Sequence, residues 1–253
     1  MEIYVGRNIV NLVKQKEFSG KVLCQNNDFI IRCEADSKLI KTTIDNNKRV
    51  VISGTVYALF KEDRCVKFTN VDQDITLLNS IISTQNHENI ANNIEGRYLG
   101  IIYNETGVQE IFADKFSQQE LFYSIKNGEL IASTSIKPVA SQLDEKNYDQ
   151  AALANILSVY GNYAPKSHTL YKEIKRLGVG EQINIKNKLI TLNKIPFRAK
   201  ETQPYSDDKL EEYCQLFRSA VEVRSSETTN WVFMSSGWDS SAVLSMLCDI
   251  HGP

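Results

Sequence analysis

One segment near the end of the chain combines small residues, hydroxyl groups and a carboxylate in a pattern that suits an anionic ligand. Its candidate ligand-binding residues are Ser235, Ser236, Gly237, Asp239, Ser240 and Ser241. Small residues let a ligand approach the backbone, and serine hydroxyls add hydrogen-bond donors. If a helix begins here, its first N–H groups are unpaired and favour phosphate or pyrophosphate. The segment therefore predicts a diphosphate-binding loop, and the alternative is a serine-rich helix cap without a ligand.

Asp239 is the acidic residue of this loop, and its carboxylate would repel a phosphate group directly. Two other roles suit it, namely capping the helix or helping to hold Mg²⁺. Asp239 is therefore the candidate metal-binding residue of the chain. The loop matches neither the G-x-x-x-x-G-K-[ST] pattern nor the G-x-G-x-x-G pattern of other phosphate-binding loops.

The segments on either side of the loop predict a strand before it and a helix after it. Residues 231–234 form the apolar run Trp-Val-Phe-Met, which suits a strand buried on both faces, as in a parallel sheet. Residues 242–247 have the apolar spacing of a helix, and an earlier helix is predicted to begin at Ser206. A helix, a buried strand, a tight loop and a second helix are typical of the opening of an α/β domain.

The earlier part of the chain predicts mainly short strands separated by polar turns, with two helices. Helices are predicted over Leu77–Ile90 and Asn147–Tyr160 from their apolar spacing. Residues 195–204 contain prolines and charges and are the best candidate linker. The predicted strands are Lys21–Cys24, Phe29–Cys33, Leu39–Thr43, Arg49–Ile52, Thr55–Phe60, Tyr98–Asn104, Gln109–Ala113, Leu121–Ser124, Leu130–Ser133, Glu181–Ile185 and Lys188–Leu192.

Composition and charge argue against several classes of function. The 253 residues carry 29 Lys and Arg against 31 Asp and Glu, so no basic surface for nucleic acid is expected. No apolar run approaches the ~20 residues that span a bilayer, and the N-terminus does not resemble a signal peptide. The five scattered cysteines and three histidines suggest neither disulfides nor a zinc site. We expect a cytoplasmic protein that binds neither nucleic acid nor membranes; its oligomeric state stays open, with a homodimer as one expectation.

The loop at residues 235–241 resembles the S-G-G-x-D-S pyrophosphate loop of the N-type ATP pyrophosphatases, and in particular the S-G-G-x-D-S-S loop of asparagine synthetases. The departure is Ser236, where that family usually has glycine. If the glycine has positive φ, serine in its place costs roughly 1 kcal/mol or more. The resemblance implies that the loop binds the pyrophosphate of ATP, with Mg²⁺ as a further cofactor.

Four upstream segments are similar, in the same order, to glutamine amidotransferases of the N-terminal-nucleophile type. The resemblance implies a layered αββα domain over residues 1–198, followed by the first helix, strand, loop and helix of an ATP pyrophosphatase domain over residues 205–253. The mixed α+β and α/β fold class follows from this pairing. The four segments are Gly96–Asn104, Phe112–Tyr123, Leu130–Lys137 and Thr169–Gly180.

Departures from the family concern the glutaminase chemistry. The family nucleophile is an N-terminal cysteine exposed by loss of the initiator Met, but position 2 here is Glu2, which cannot form a thioester. Ser53 and Gly54 stand where the family has the amide and glycine of its oxyanion hole, and the loss of the amide donor at Ser53 costs about 3 kcal/mol of transition-state stabilisation. Asp72 is a weak candidate for the glutamine-binding aspartate, and a solvated surface residue is the favoured alternative. We therefore predict no cysteine-dependent glutaminase and no catalytic residue in this domain.

For the parent protein, the resemblance implies an ATP-dependent ligase that forms an amide bond. A substrate carboxylate displaces pyrophosphate from ATP, and an amine or ammonia then displaces AMP. Rival interpretations are a ring-closing ligase similar to β-lactam synthetases and lasso-peptide cyclases, and a non-catalytic scaffold module. Because few residues follow Asp239, the second domain is expected to be incomplete, and the chain alone is expected to be inactive as a ligase.

Overall fold

The structure of the protein, a computed structural model, describes residues 3–6, 21–25, 29–33, 39–45, 47–61, 64–69, 71–84, 87–158, 164, 167–195, 202 and 204–252. In chain order its strands are β1 (Ile3–Gly6), β2 (Lys21–Gln25), β3 (Ile30–Cys33), β4 (Leu39–Asp45), β5 (Lys48–Lys61), β6 (Arg64–Lys67), β7 (Ile94–Asn104), β8 (Gly107–Ala113), β9 (Phe122–Lys126), β10 (Glu129–Ser133), β11 (Lys175–Arg176), β12 (Glu181–Lys186) and β13 (Leu189–Lys194).

These strands form two antiparallel sheets. The first sheet has the order β11-β9-β10-β1-β3-β2, and the second has the order β13-β12-β8-β7-β5-β4, with β6 paired to β5. The central pair of the second sheet is β5 with β7, which runs from Arg49 opposite Tyr103 to Leu59 opposite Ile94. This long pairing makes β5 and β7 the frame on which the neighbouring strands align.

The helices are α1 (Val71–Ser83), α2 (His87–Asn93), α3 (Ile136–Ala140), α4 (Gln150–Ser158), α5 (Asp207–Glu222) and α6 (Trp238–His251). Helices α1 and α2 pack on the second sheet through β4, β5 and β7, and α3 packs on β9 and β10 of the first sheet. No helix among the described residues has the length and apolar character that a membrane span requires.

Alternating side chains of the strands build separate cores on the two faces of the second sheet. On β7, Leu99 and Ile101 point into the core between the two sheets, together with residues such as Ile31 of β3 and Ala132 of β10. Tyr98, also on β7, points the other way, into the core shared with α1 and α2. Because both faces are covered, β7 is continuously apolar over residues 98–103. The layered αββα arrangement predicted from the sequence is confirmed.

Two predicted stretches are divided into elements differently in the structure. The two predicted strands over residues 49–52 and 55–60 are one continuous strand, β5, because the Ser53-Gly54 pair continues the ladder instead of breaking it. The predicted helix Leu77–Ile90 is two helices, α1 and α2, and Thr84 ends the first by folding its hydroxyl back onto the Ile81 carbonyl at 2.8 Å.

The turn at Asn127-Gly128 joins β9 and β10. Asn127 has φ +50° and Gly128 has φ +76°, which are the left-handed angles of a type I′ hairpin turn. The predicted linker over residues 195–204 lies largely outside the described residues.

The predicted strand over residues 231–234 is wrong. These residues have no regular secondary structure, and Trp231 and Phe233 are 88% and 95% exposed. A strand exists only when its N–H and C=O groups pair with a neighbouring strand, and none of the described strands lies beside this segment. An apolar pattern alone therefore did not determine the local structure here.

Candidate functional site

The loop at residues 235–241 leads directly into α6. Gly237 is the N-cap residue, in an extended conformation with φ −84° and ψ 155°, and the helix begins at Trp238. Asp239, Ser240 and Ser241 therefore lie in the first turn, where helix N–H groups lack intrahelical partners. The predicted helix start is confirmed, and the loop is mostly exposed to solvent.

Serine hydroxyls connect the two ends of the loop. The hydroxyls of Ser235 and Ser240 lie 3.1 Å apart, the Ser235 N–H donates to Ser240 Oγ at 3.2 Å, and the Gly237 N–H donates to Ser235 Oγ at 3.2 Å. Ser241 Oγ donates back to the Gly237 carbonyl at 3.1 Å. A bound anion would have to replace several of these contacts, which is inexpensive because water reaches all of them.

The backbone strain expected at Ser236 does not occur. Positive φ among the described non-glycine residues is confined to Ser117, Asn127, Asn187 and Lys188, so Ser236 adopts ordinary angles. Gly237 is also free of strain, since a Cβ added there would meet only the Ser235 hydroxyl, at 3.2 Å. The serine that replaces the family glycine is therefore compatible with this loop conformation.

The magnesium prediction at Asp239 depends on a single carboxylate. The described part of the chain contains no group of three or more His, Cys, Asp or Glu side chains placed to hold a metal ion. A lone carboxylate is consistent with Mg²⁺ that is bound mainly through substrate phosphates, but not with a preformed metal site. Asp239 as a metal ligand therefore stays a prediction.

The second candidate region lies at one end of the sheet sandwich. Ser53 is fully buried in β5, two residues from Val51 of the core between the sheets. Gly54 has φ +128°, and a Cβ there would lie 2.2 Å from the Arg97 carbonyl oxygen. Glycine is needed at this position because β7 comes so close, and this structural reason accounts for the residue without any role in an oxyanion hole.

Strand topology brings the start of β1 to this same end of the sandwich. β1 pairs with the last residues of β10, Tyr4 opposite Ser133, while β8 leaves the second sheet at Ala113 and the chain enters the first sheet at β9. Glu2 lies outside the described residues, and so does the side chain of Asp72, whose backbone is in the first turn of α1. Their predicted roles therefore remain predictions.

Asp114, which follows β8 at this end, holds the connecting loop in place. Its carboxylate oxygens accept hydrogen bonds from the N–H groups of Phe116 and Gln118 at 3.1 Å each and of Gln119 at 3.2 Å. A carboxylate with three backbone donors is a loop anchor. Asp114 therefore has a structural role in the loop between β8 and β9.

Comparison with known proteins places most of this region in one family. A sequence model of the glutamine amidotransferase domain matches residues 44–195, which is more than half of the 253-residue chain. The chain belongs to the glutamine amidotransferase domain family. The amidotransferase-like part of the sequence interpretation is confirmed, whereas the asparagine synthetase and ATP pyrophosphatase parts stay predictions.

Two solved structures are similar to this amidotransferase-family chain at low identity. One is the glutamine phosphoribosylpyrophosphate amidotransferase from B. subtilis complexed with ADP and GMP, with 10% identity, a TM-score of 0.34, and coverage of 76% of this chain and 42% of that chain. The other is described as the allosteric regulatory enzyme of purine biosynthesis, with 11% identity, a TM-score of 0.37 and the same coverages. The chain spans less than half the length of either. No curated protein matches.

The amidotransferase domain contacts the C-terminal helices through a small polar interface. Lys67 Nζ, at the end of β6, donates to the carbonyls of Glu222 and Ser225 at 3.1 and 2.8 Å, where α5 ends. The guanidinium of Arg224 lies 5.2 Å from the ring centroid of Tyr57 and pairs with Glu95. No sequence pattern predicts this interface, because its partners are more than a hundred residues apart along the chain.

Proposed function

We propose that this chain is the amidotransferase-type portion of an ATP-dependent ligase of the asparagine-synthetase kind. In this reaction a substrate carboxylate is activated with ATP, diphosphate is released, and an amine or ammonia completes the amide. The observation that carries the proposal is the serine- and glycine-rich start of α6, downstream of a family-matched amidotransferase domain in the same chain. The exposed first turn offers N–H groups and hydroxyls to the released diphosphate.

Within this proposal the domain supplies no ammonia by cysteine chemistry. Position 2 is glutamate, and a carboxylate does not form the thioester that glutamine hydrolysis requires. Ser53, at the expected oxyanion position, is fully buried within a continuous strand. Ammonia from solution, or an amine on a second substrate, would then be the nucleophile. Release of glutamate from glutamine by the full chain, abolished by changing Glu2, would contradict this part.

Each loop residue has a role in the proposed site. The N–H groups of Asp239 and Ser240 lie in the unpaired first turn, and the hydroxyls of Ser235 and Ser240 add donors on the same side. Mg²⁺, when bound between the phosphates and the Asp239 carboxylate, would offset the charge repulsion between them. The carboxylate substrate and the amine would meet outside the loop.

Calorimetric titration of the full chain with magnesium pyrophosphate and with MgATP tests the loop. Replacing Ser240 by alanine removes one hydroxyl donor and should weaken diphosphate binding about fivefold, the equivalent of about 1 kcal/mol. Ser236→Gly restores the family residue and should leave binding equal or tighter. Ser206→Ala is the matched control, because Ser206 caps the other long helix, α5, whose first turn carries Asp207 and Asp208. Equal effects of the Ser206 and Ser240 changes on binding, or no binding at all, would show that the loop is not a diphosphate site.

A second candidate is a non-catalytic docking domain, which is specifically favoured by the contacts of Lys67 with the end of α5 and of Arg224 with Tyr57 and Glu95 of the sheet. In this case the amidotransferase fold serves to hold the C-terminal helices, and neither ATP nor pyrophosphate binds. The titrations distinguish the two candidates, since a docking domain should give no heat of diphosphate binding in any variant.

A further inference from the structure

A large cavity opens at the end of the sandwich away from Ser53 and Gly54. It has a volume of about 1050 Å³, and it lies among the turns that join β7 to β8, β9 to β10 and β12 to β13. Among its lining residues are Phe29, Val108, Glu110, Asn184, Lys186 and Ile190. Its volume is that of a small-molecule site, and far exceeds the ~30 Å³ that one water molecule occupies.

The cavity exists because two neighbouring strands stop pairing before they end. The ladder between β8 and β12 covers Gln182 opposite Phe112, Ile183 opposite Ile111 and Asn184 opposite Glu110, and no further. Yet β8 begins at Gly107 and β12 continues to Lys186. The cavity is lined by the unpaired residues of both strands and by Glu110 and Asn184, which form the last pair of the ladder and therefore lie side by side.

Glu110 and Asn184 each present an unused hydrogen-bonding atom there. Their residues are only 8% and 9% exposed, yet Glu110 Oε1 and Asn184 Nδ2 have no hydrogen-bond partner. The other end of the Asn184 amide is occupied, because its Oδ1 accepts from Gln182 Nε2 at 2.7 Å. Buried polar atoms are almost always paired, so an unpaired acceptor beside an unpaired donor indicates a missing partner.

Lysines give the mouth of the cavity a positive character. Lys48, Lys186 and Lys188 line it, against the single further acid Glu129. Burial raises the pKa of Glu110 to about 7, and the charges of Lys186 and Lys48 only partly oppose this rise. A ligand with a negative group would therefore place that group toward the lysines, at the outer part of the cavity.

We propose that this cavity binds a small molecule that carries a primary carboxamide and a carboxylate, the chemical class of the amino-acid amides. The carboxamide NH₂ donates to Glu110 Oε1, and its carbonyl accepts from Asn184 Nδ2. A primary carboxamide is the group that offers one donor and one acceptor in a single plane, as this pair requires. The carboxylate lies near Lys186. The site is separate from both regions considered for the ligase, and its existence does not depend on that activity.

Calorimetry on the full chain tests the proposal with L-asparagine and L-glutamine as probes. L-Aspartate, which lacks the amide donor, should bind at least tenfold more weakly. Two variants should each weaken the binding of asparagine or glutamine at least tenfold. Glu110→Met removes the acceptor at similar volume, and Asn184→Asp turns the donor into an acceptor. Lys186→Met should weaken the binding of the amino acids but leave the binding of propionamide, which has no carboxylate, unchanged. Glu105→Gln, at the tip of the β7–β8 hairpin outside the lining, is the matched control.

Several outcomes would overturn the proposal. No heat with either amino acid would mean that the cavity holds only water. Amide binding that survives both Glu110→Met and Asn184→Asp would place the ligand elsewhere on the chain. Equal binding of aspartate and asparagine would show that the cavity does not recognise the carboxamide. Urea unfolding of each variant verifies that the compared proteins are folded. Asn184→Asp, which preserves the shape of the side chain, supplies the result if Glu110→Met does not fold.

Discussion

Glu110 occupies a central strand position where its carboxyl loses hydration without gaining a hydrogen bond to Oε1. The local sequence, Gln-Glu-Ile-Phe-Ala, predicts the strand correctly but does not reveal that the glutamate is buried. That burial depends on the neighbouring β12, which lies more than seventy residues later in the chain. A charged residue inside an otherwise apolar strand was the available signal, and it is ambiguous because edge strands show the same pattern.

The free energy of unfolding should depend on pH through Glu110. Burial raises its pKa from 4.5 to about 7, so the folded chain holds this proton more tightly than the unfolded chain. Stability should therefore fall as pH rises through this window and stay low above it. Glu110→Gln removes the titration and should stabilise the protein at about pH 8 by roughly 2–4 kcal/mol relative to wild type. At about pH 4 the difference should be small, because the glutamate is then protonated in both states.

Urea unfolding at several pH values measures this difference, with the exposed Glu105→Gln as the control. A wild-type stability that is flat across the window would show that Glu110 is hydrated in solution. The same result would also weaken the cavity proposal, which needs the carboxyl to be desolvated.

Among the elements, the strands of the amidotransferase domain follow from the sequence more directly than the C-terminal segment does. The apolar residues of β7 and β8 predicted both strands, although each begins earlier than predicted, at Ile94 and Gly107. The two predicted strands stop on either side of Ser53-Gly54, but the β7 backbone pairs across these two residues and joins the strands into β5. The strand predicted over residues 231–234 was wrong for the opposite reason, since no described strand lies beside this apolar segment to pair with its backbone.

Gly54 should be far less tolerant of substitution than a glycine with similar backbone angles. Gly54→Ala places a Cβ 2.2 Å from the Arg97 carbonyl oxygen, so β5 and β7 must separate. Gly107 is the matched control, because its φ of +146° is close to the +128° of Gly54, but nothing lies within 4 Å of its added Cβ. Gly107→Ala should cost about 1 kcal/mol of backbone strain, and Gly54→Ala about 3 kcal/mol or more. Chemical denaturation of both variants gives the comparison, and equal losses would show that the strands can part without cost.

On the scale of the whole molecule, the family-matched domain and the C-terminal helices meet through a few polar groups. The layered fold was accessible from the sequence through its resemblance to the amidotransferase family, whereas the apolar patterns predicted only the individual strands and helices. The interface was not, since Lys67 and Arg224 are ordinary surface residues in sequence terms. Three-dimensional proximity alone reveals that Lys67 donates to the carbonyls at the end of α5.

Lys67→Met should loosen the end of α5 while leaving the sheets intact. The variant keeps the aliphatic stem but removes the ammonium that donates to Glu222 and Ser225 and that interacts favourably with the negative helix end. The interface is partly exposed, so the expected cost is about 1 kcal/mol, seen as faster amide hydrogen exchange over residues 219–225. Lys126→Met is the matched control, because Lys126 lies on β9 of the first sheet and pairs there with the exposed Asp144. If exchange at the end of α5 is the same in both variants, the domain does not hold these helices through Lys67, and the docking candidate loses its main support. If only Lys67→Met accelerates exchange while diphosphate binding is unchanged, docking and ligand binding are separate properties of the two parts of the chain.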